Sequence, residues 1–257
     1  MCVEINPMLV SVIMVTWNSA ATVRHTLDSF FAQTYEQKEL VVIDGGSQDE
    51  TMAIVKSYPQ DKILWLTEPD QGMYDALNKG LRLASGDAIG VLNSDDTYHN
   101  PLSLEAISRG LMHADTVHGH LNFVTDHASK KISRVWRGQT RPSQGFKEGW
   151  MPGHPTFYVH RHVVEKVGSF DLSLETSSDY DWMLRAIEVH GFSTHLIDEV
   201  LIDMQQGGRS TSGLASYMHH NLEALRARQK WLKVGLIDYA FFAKPLRKIG
   251  QFLTVNT

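Results

Sequence analysis

A single cysteine, Cys2, in 257 residues leaves no internal disulfide to form and nothing that points to secretion. No apolar segment reaches the about 18 residues that a membrane-spanning helix needs. The opening residues Met-Cys-Val-Glu-Ile-Asn-Pro lack the basic start and apolar stretch of a signal peptide, so a cytoplasmic location is expected. Excess positive charge is missing as well: the net charge of −5 argues against a nucleic-acid binder, whose affinity rests on clustered Lys and Arg. Neither the Gly-x-Gly-x-x-Gly nor the Gly-x-x-x-x-Gly-Lys-Ser/Thr spacing occurs, which removes support for dinucleotide and P-loop chemistry. No Ser/His/Asp or Cys/His nucleophile arrangement is evident, and the histidines show no metal-ligand spacing.

What is present is ordinary for a globular chain, with 42% hydrophobic and 21% charged residues. The length suits one large domain, or a domain with a small appendage. Leu9 to Trp17 is β-branched and nearly continuous, as expected of a strand buried on both faces. Asn18 or Ser19 is placed to cap a following helix with apolar positions Val23, Leu27, Phe30 and Phe31. Leu40 to Ile43 reads as a strand, Thr51 to Tyr58 as a helix and Ile63 to Leu66 as a third strand. The stripe Tyr74, Leu77, Leu81 and Ala84 predicts a helix stopped at Ser85-Gly86, with glycine in the residue just past its end. The apolar run Ala88 to Leu92 completes a βαβαβαβ series. Such alternation implies a parallel sheet covered by helices, with ligands beyond the C-terminal strand ends.

After Pro101 the pattern loosens. A helix over Leu102 to His113 leads to Thr116–Val124 and Ile132–Trp136, a predicted antiparallel hairpin or meander. Gly138 to Pro155 reads as loop, Asp179 to His190 as a helix with Trp182, Ala186 and Val189 buried, and Leu214 to Trp231 as a long helix. One catalytic domain over 1–212 and a helical extension over 213–257 are expected, divided near Gly207-Gly208.

Each parallel strand ends in polar residues on the same edge. They are Thr16-Trp17-Asn18, Asp44-Gly45-Gly46-Ser47-Gln48-Asp49, Glu68-Pro69-Asp70-Gln71-Gly72 and Asn93-Ser94-Asp95-Asp96. Adjacent carboxylates repel, and their oxygens suit hard divalent ions such as Mg²⁺ or Mn²⁺. Asn-Ser-Asp-Asp is also good turn chemistry, and taken alone the turn is favoured. Asp44, with two glycines that allow close backbone approach, fits a nucleoside pocket better than it fits a helix cap. Asp70 fits ligand contact and a plain Pro-Asp-Gln-Gly turn equally. Asp75, Asn78 and Lys79 lie one turn apart, where an Asp75–Lys79 pair on a solvated face is sufficient explanation. Asp179 is placed either to cap a helix or to take a proton from an attacking hydroxyl. His154 suits an acceptor-side group and a satisfied loop histidine alike.

Taken together these segments resemble family 2 of the inverting, nucleotide-sugar-dependent glycosyltransferases, of GT-A fold. The pieces are Ser11–Asn18, Val42–Thr51, Glu68–Gly80, Ala84–Asp87, Leu92–Asp96, His154–Phe157, Gly168–Asp171 and Ser178–Asp181, spread over roughly residues 9 to 212. The resemblance implies an α/β fold with a mostly parallel central sheet, a small antiparallel element and a C-terminal helical extension. It implies an enzyme that builds bacterial exopolysaccharide or another surface glycan from a nucleotide-diphosphate sugar donor and a glycan or lipid-linked acceptor. By position, Thr16, Asn18, Asp44, Gly45, Asp70 and Gly72 would hold the donor nucleoside, and Asp75, Asn78 and Lys79 would lie near the diphosphate or sugar. Asn93, Asp95 and Asp96 occupy the metal motif, where Asp95 and Asp96 would bind Mn²⁺ or Mg²⁺ and Asn93 replaces a frequent Asp. Asp179 matches the catalytic base, Asp181 lies inside the helix, and Arg209 in Gly207–Ser210 would meet phosphate.

Lys230 to Phe252 mixes aromatic and aliphatic residues with Lys230, Lys233, Lys244, Arg247 and Lys248. That composition suits a helix on the anionic inner face of the plasma membrane, while a helix packed on its own domain or on a second subunit, as a homodimer, is slightly favoured. Rival functions are a sugar-phosphate nucleotidyltransferase, which would need a Gly-rich basic loop after the first strand, and a non-catalytic glycan-binding scaffold. Selectivity for sugar and acceptor is expected in the loops over Thr125 to Gly153.

Overall fold

The structure is a computed structural model that describes residues 7–126, 131–206, 214–236 and 238–241, with backbone only over 214–217. Strands β1 (Val10–Thr16), β2 (Lys38–Asp44), β3 (Ile63–Thr67) and β4 (Ala88–Val91) are mutually parallel. Helices α1 (Val23–Phe31), α2 (Thr51–Lys56) and α3 (Met73–Leu83) connect them. The remaining elements are β5 (Asp96–Tyr98), α4 (Ser103–Leu111), β6 (Thr116–Val124), β7 (Ile132–Trp136), β8 (Tyr158–His160), α5 (Arg161–Val167), α6 (Ser178–Leu184), β9 (Thr194–Gln205) and α7 (Leu214–Leu232). Among the described residues one sheet runs β3-β2-β1-β4-β8-β6-β9-β5, with β7 paired to β6. The order turns back at β1, so β2 and β4 flank it and the crevice between their ends is a topological switch point.

The near-continuous apolar run of β1 is explained by burial on both faces. Val10, Val12 and Met14 pack with Val23, Leu27 and Phe30 of α1 and Ile107 of α4. Ile13 faces the other way, into a second core with Leu77 of α3 and Tyr180, Trp182 and Met183 of α6. Helices therefore cover both sides of the sheet, and the polar strand ends are left as its working edge. No helix among the described residues is long and apolar enough to cross a membrane.

Several local expectations need correction. Neither Asn18 nor Ser19 caps α1 with its side chain; Thr22 is the cap residue and the carbonyl of Ser19 accepts from Thr22 and Val23 instead. Gly86 does not end α3 in a left-handed turn, since the helix stops at Ala84 in extended backbone. Its glycine is needed for close packing: a Cβ there would lie 2.6 Å from the carbonyl oxygen of Leu9 and 2.7 Å from the amide of Ser11. The helix over Asp179–His190 changes character after Leu184 to a π-turn, Arg185–Val189, closed by His190 N–H donating to Arg185 O at 2.9 Å. The widened turn rotates Val189 out to 40% exposure, while Trp182 and Ala186 stay buried. The proposed division at Gly207-Gly208 and the tail beyond Phe241 lie outside the described residues.

Candidate active site

Thr16, Asp44 and Thr67 end β1, β2 and β3 in one register row. Asp44 is fully buried and accepts hydrogen bonds from the amide and hydroxyl of Ser47. Asn18, at φ 49°, latches the same loop: its amide donates to Ser47 Oγ and its Oδ1 accepts from Gln48 N, both at 2.8 Å. Thr16 Oγ1 is buried without a hydrogen-bond partner among the described residues.

Gly45 is where β2 meets the loop after β3. A Cβ on Gly45 would sit 2.5 Å from Asp70 Oδ2 and 3.5 Å from Trp17 Cδ1, so only glycine lets the carboxylate lie against this backbone. The other oxygen of Asp70 accepts from Gly72 N at 2.8 Å, and Gly72 stands at φ 112°. The Asp70 turn thus exists and also lays a carboxylate against Gly45, beside which Trp17 stands 58% exposed.

On α3, Asp75 accepts from Gln71 N at 3.1 Å and lies 3.6 Å from Lys79. The pair does not sit on a solvated face. Lys79 is 7% exposed, pairs with Glu68 at 2.9 Å and donates to Pro69 O at 2.8 Å. Burial works against its charge, but Glu68, Asp75 and Asp70 outweigh it and hold the ammonium pKa above the usual value. Asn78 is directed elsewhere. Its amide nitrogen donates to Phe170 O at 3.1 Å and its oxygen accepts from Phe170 N at 2.8 Å, so its side chain fastens the loop before α6.

The Asn93–Asp96 segment is a turn, closed by Asp96 N donating to Asn93 O at 3.0 Å, and it opens the short strand β5. Asp96 is 1% exposed; Asn93 Nδ2 donates to its Oδ2 at 2.9 Å and Gln205 N to its Oδ1 at 3.3 Å. Burial, and then the charge of Asp95, push its pKa up to about 8. Asp95 is half-buried beside it. Ser94 Oγ donates to Ser19 Oγ at 3.0 Å, which ties this turn to the end of β1. Two neighbouring carboxylates that resist joint ionisation are what a divalent cation relieves. Among the described residues no three His, Cys, Asp or Glu side chains form a metal cage. Mg²⁺-like ions need none when one or two carboxylates are joined by substrate phosphates and water, so Asp95 and Asp96 fit such an ion.

Asp179 opens α6 and does not cap it through the anticipated geometry; Ser177 is the cap residue and makes no side-chain cap. Its Oδ1 accepts from Tyr74 Oη at 3.2 Å and from Tyr180 N at 2.8 Å, and its Oδ2 lies 4.0 Å from His154 Nδ1. Burial holds the pKa of His154 below the usual value against the pull of Asp179. Asp181 is committed to the interior: it accepts from Arg185 Nε at 2.8 Å and from Trp231 Nε1 at 2.7 Å. Arg209 lies outside the described residues. Tyr74 is the partner that sequence reading missed, because it counts as one member of an apolar stripe; a hydroxyl on that stripe is its only signal.

Solved structures share the architecture. TarS of S. aureus (residues 1–349, in complex with UDP-GlcNAc) matches 96% of this chain and 79% of its own at a TM-score of 0.68 and 18% identity. A mannosyltransferase from Pyrobaculum calidifontis, in complex with GDP-Man and Mn²⁺, matches 97% of this chain and 70% of its own at a TM-score of 0.64 and 18% identity. An uncharacterized glycosyltransferase of Mycobacterium tuberculosis is 32% identical over 180 residues, 69% of this chain and 68% of that protein. A PGL/p-HBAD biosynthesis glycosyltransferase of Mycobacterium bovis is 26% identical over 212 residues, 77% of each chain. The family model described as glycosyl transferase family 2 matches residues 11–157.

Proposed function

The chain belongs to glycosyltransferase family 2, and on that footing we propose that it is an inverting, metal-dependent hexosyltransferase of bacterial surface-glycan synthesis. Its donor would be a nucleotide-diphosphate sugar and its acceptor a hydroxyl of a glycan or lipid-linked sugar. The observation that carries this reading is Asp179 held by Tyr74, on the helix that begins at the Asp70–Gly72 donor loop. One helix thereby links the donor side of the crevice to the group that would receive the acceptor proton.

Asp44, Asp70 and Thr16 supply acceptors for base N–H and ribose hydroxyls, and Gly45 lets the Asp70 carboxylate lie against the backbone beside them. Asp95, with Asp96 behind it, would hold Mn²⁺ or Mg²⁺, and that cation would neutralise the departing diphosphate. Lys79, bound to Glu68, Asp75 and the carbonyl of Pro69, fixes the root of the Asp70 loop. Asp179 takes the proton of the attacking hydroxyl as it approaches the anomeric carbon from the face opposite the leaving group, so one displacement inverts the configuration. Neutral His154 stands on the acceptor side of Asp179 and can hydrogen-bond a sugar hydroxyl without competing as a charge.

The relative named for PGL/p-HBAD biosynthesis supports a surface-glycan acceptor. Peripheral contact with the inner face of the plasma membrane belongs to the same reading, supported by Leu236, 89% exposed just after α7, and by the lysines of the tail. Release of nucleoside diphosphate from a panel of UDP-, GDP- and TDP-sugars, with and without Mn²⁺, tests the activity. Metal-dependent release from one donor supports the proposal; release from none, with acceptor extracts supplied, would leave a glycan-binding scaffold.

A further inference from the structure

We infer that α7 is a brace that sets the catalytic base, with Glu223 as its positioning residue; the inference rests on the reading of Asp179 as that base. The segment 175–181 carries Asp179, and α7 grips it on both flanks. Upstream, Glu223 Oε1 accepts from Glu175 N at 2.9 Å, and its Oε2 accepts from Thr176 N at 2.9 Å and Thr176 Oγ1 at 2.8 Å. Ser177 Oγ lies 2.9 Å from His220 Nδ1 and donates to His220 O at 3.1 Å. Downstream, Arg228 donates to Tyr180 Oη at 2.9 Å and Trp231 Nε1 donates to Asp181 Oδ1 at 2.7 Å.

His220, Glu223, Arg228 and Trp231 recur at helical spacing, so one face of α7 delivers all four. What they leave alone is the Asp179 carboxylate, whose partners come from Tyr74, Tyr180 and His154. The cap residue of α6, Ser177, makes no side-chain cap, and the two amides just before it are held from α7 by a carboxylate. Glu223 is 3% exposed; burial opposes its charge, yet the bonds from Glu175 and Thr176 hold its pKa below the usual value. A buried carboxylate with three donors has little freedom, and neither have the residues it holds. A base must be held to within a fraction of an ångström of its productive geometry, and positioning of that quality comes from such supporting contacts.

The full chain carrying Glu223→Ala or Glu223→Gln tests this in two ways. Hydrogen–deuterium exchange needs no donor and decides the brace by itself. In Glu223→Ala, uptake over 175–181 should rise about tenfold or more while 41–48 and 88–96 stay unchanged, with Glu223→Gln between it and wild type. For turnover, the probe is UDP-GlcNAc or GDP-Man, whichever the wild-type chain hydrolyses with Mn²⁺. There kcat should fall roughly ten- to a hundredfold in Glu223→Ala, with the donor KM within about twofold of wild type. Unchanged exchange over 175–181 overturns the proposal. So does raised exchange with an unchanged kcat, or a KM that rises at constant kcat, since either makes the contact merely structural. Asp179→Asn measured alongside separates the two readings: wild-type turnover there sinks the base assignment, whatever Glu223 does.

Discussion

Tyr74 and Asp179 stand 105 positions apart in the sequence, and the tyrosine hydroxyl donates to Asp179 Oδ1 at 3.2 Å. Burial, and then the charge of Asp179, raise the tyrosine pKa far above its ordinary value, so the hydroxyl remains a donor at every working pH. The pair fixes where the carboxylate points. Tyr74→Phe keeps the ring stacked near Phe170 and removes only that donor. It should lower kcat roughly tenfold, the rate equivalent of one hydrogen bond to a charged group at about 1.4 kcal/mol, and leave donor KM unchanged. Steady-state kinetics on the full chain check this; a raised KM with normal kcat would place Tyr74 on the donor side.

Gly45→Ala forces a Cβ to within 2.5 Å of Asp70 Oδ2. The obstructed atom is the end of a side chain, so the fold should tolerate the change while Asp70 turns away. Donor affinity should weaken roughly tenfold, about 1.4 kcal/mol, with thermal stability close to wild type. Isothermal titration with UDP or GDP measures it, and an unaltered affinity would remove Asp70 from the donor pocket.

Asp96→Ala removes the buried half of the carboxylate pair. Nucleotide binding should weaken chiefly in the presence of Mn²⁺ or Mg²⁺, by roughly tenfold or more, and little in EDTA. Equal weakening in both conditions would mean that Asp96 only builds the turn and β5.

His118 on β6 is buried, and burial lowers its pKa to about 4 from 6.5. The unfolded chain therefore takes up the proton first as pH falls. Stability conferred by the neutral ring is complete above 6.5 and is lost progressively down to about 4. His118→Gln keeps a donor for Gln139 O and cannot charge. Its denaturant midpoint should fall less than that of wild type across this window, a difference on the order of 3 kcal/mol at the acid end. Parallel midpoints in the two proteins would contradict it.

The parallel half of the fold was legible because burial on two faces leaves continuous apolar runs, as in Leu9 to Trp17. In the other half the antiparallel pair β6 and β7 was legible with its bounds, but the short and irregular strands were not. β5 and β8 are three residues each, too short to show a period. β9 spans twelve residues, but breaks in its register with β6 destroy the alternation that would reveal it. At the site, Asp44, Asp70 and Asp95 stand out because glycines and acids follow apolar runs directly. Lys79 and Asn78 share that neighbourhood in sequence, yet one is buried in an ion pair and the other is turned to Phe170. Helix periodicity places a residue on a face and does not say which loop it will meet. Contacts such as Glu223 with Thr176, 47 positions away, leave no local trace at all.

The decisive measurement is sugar transfer and donor binding by Asp179→Asn, a substitution that keeps size and removes the ability to accept a proton. Transfer should fall by at least about a hundredfold while nucleotide binds in Mn²⁺ with unchanged affinity. Transfer at the wild-type rate, or nucleotide affinity lost in step with activity, would show that Asp179 is not the base.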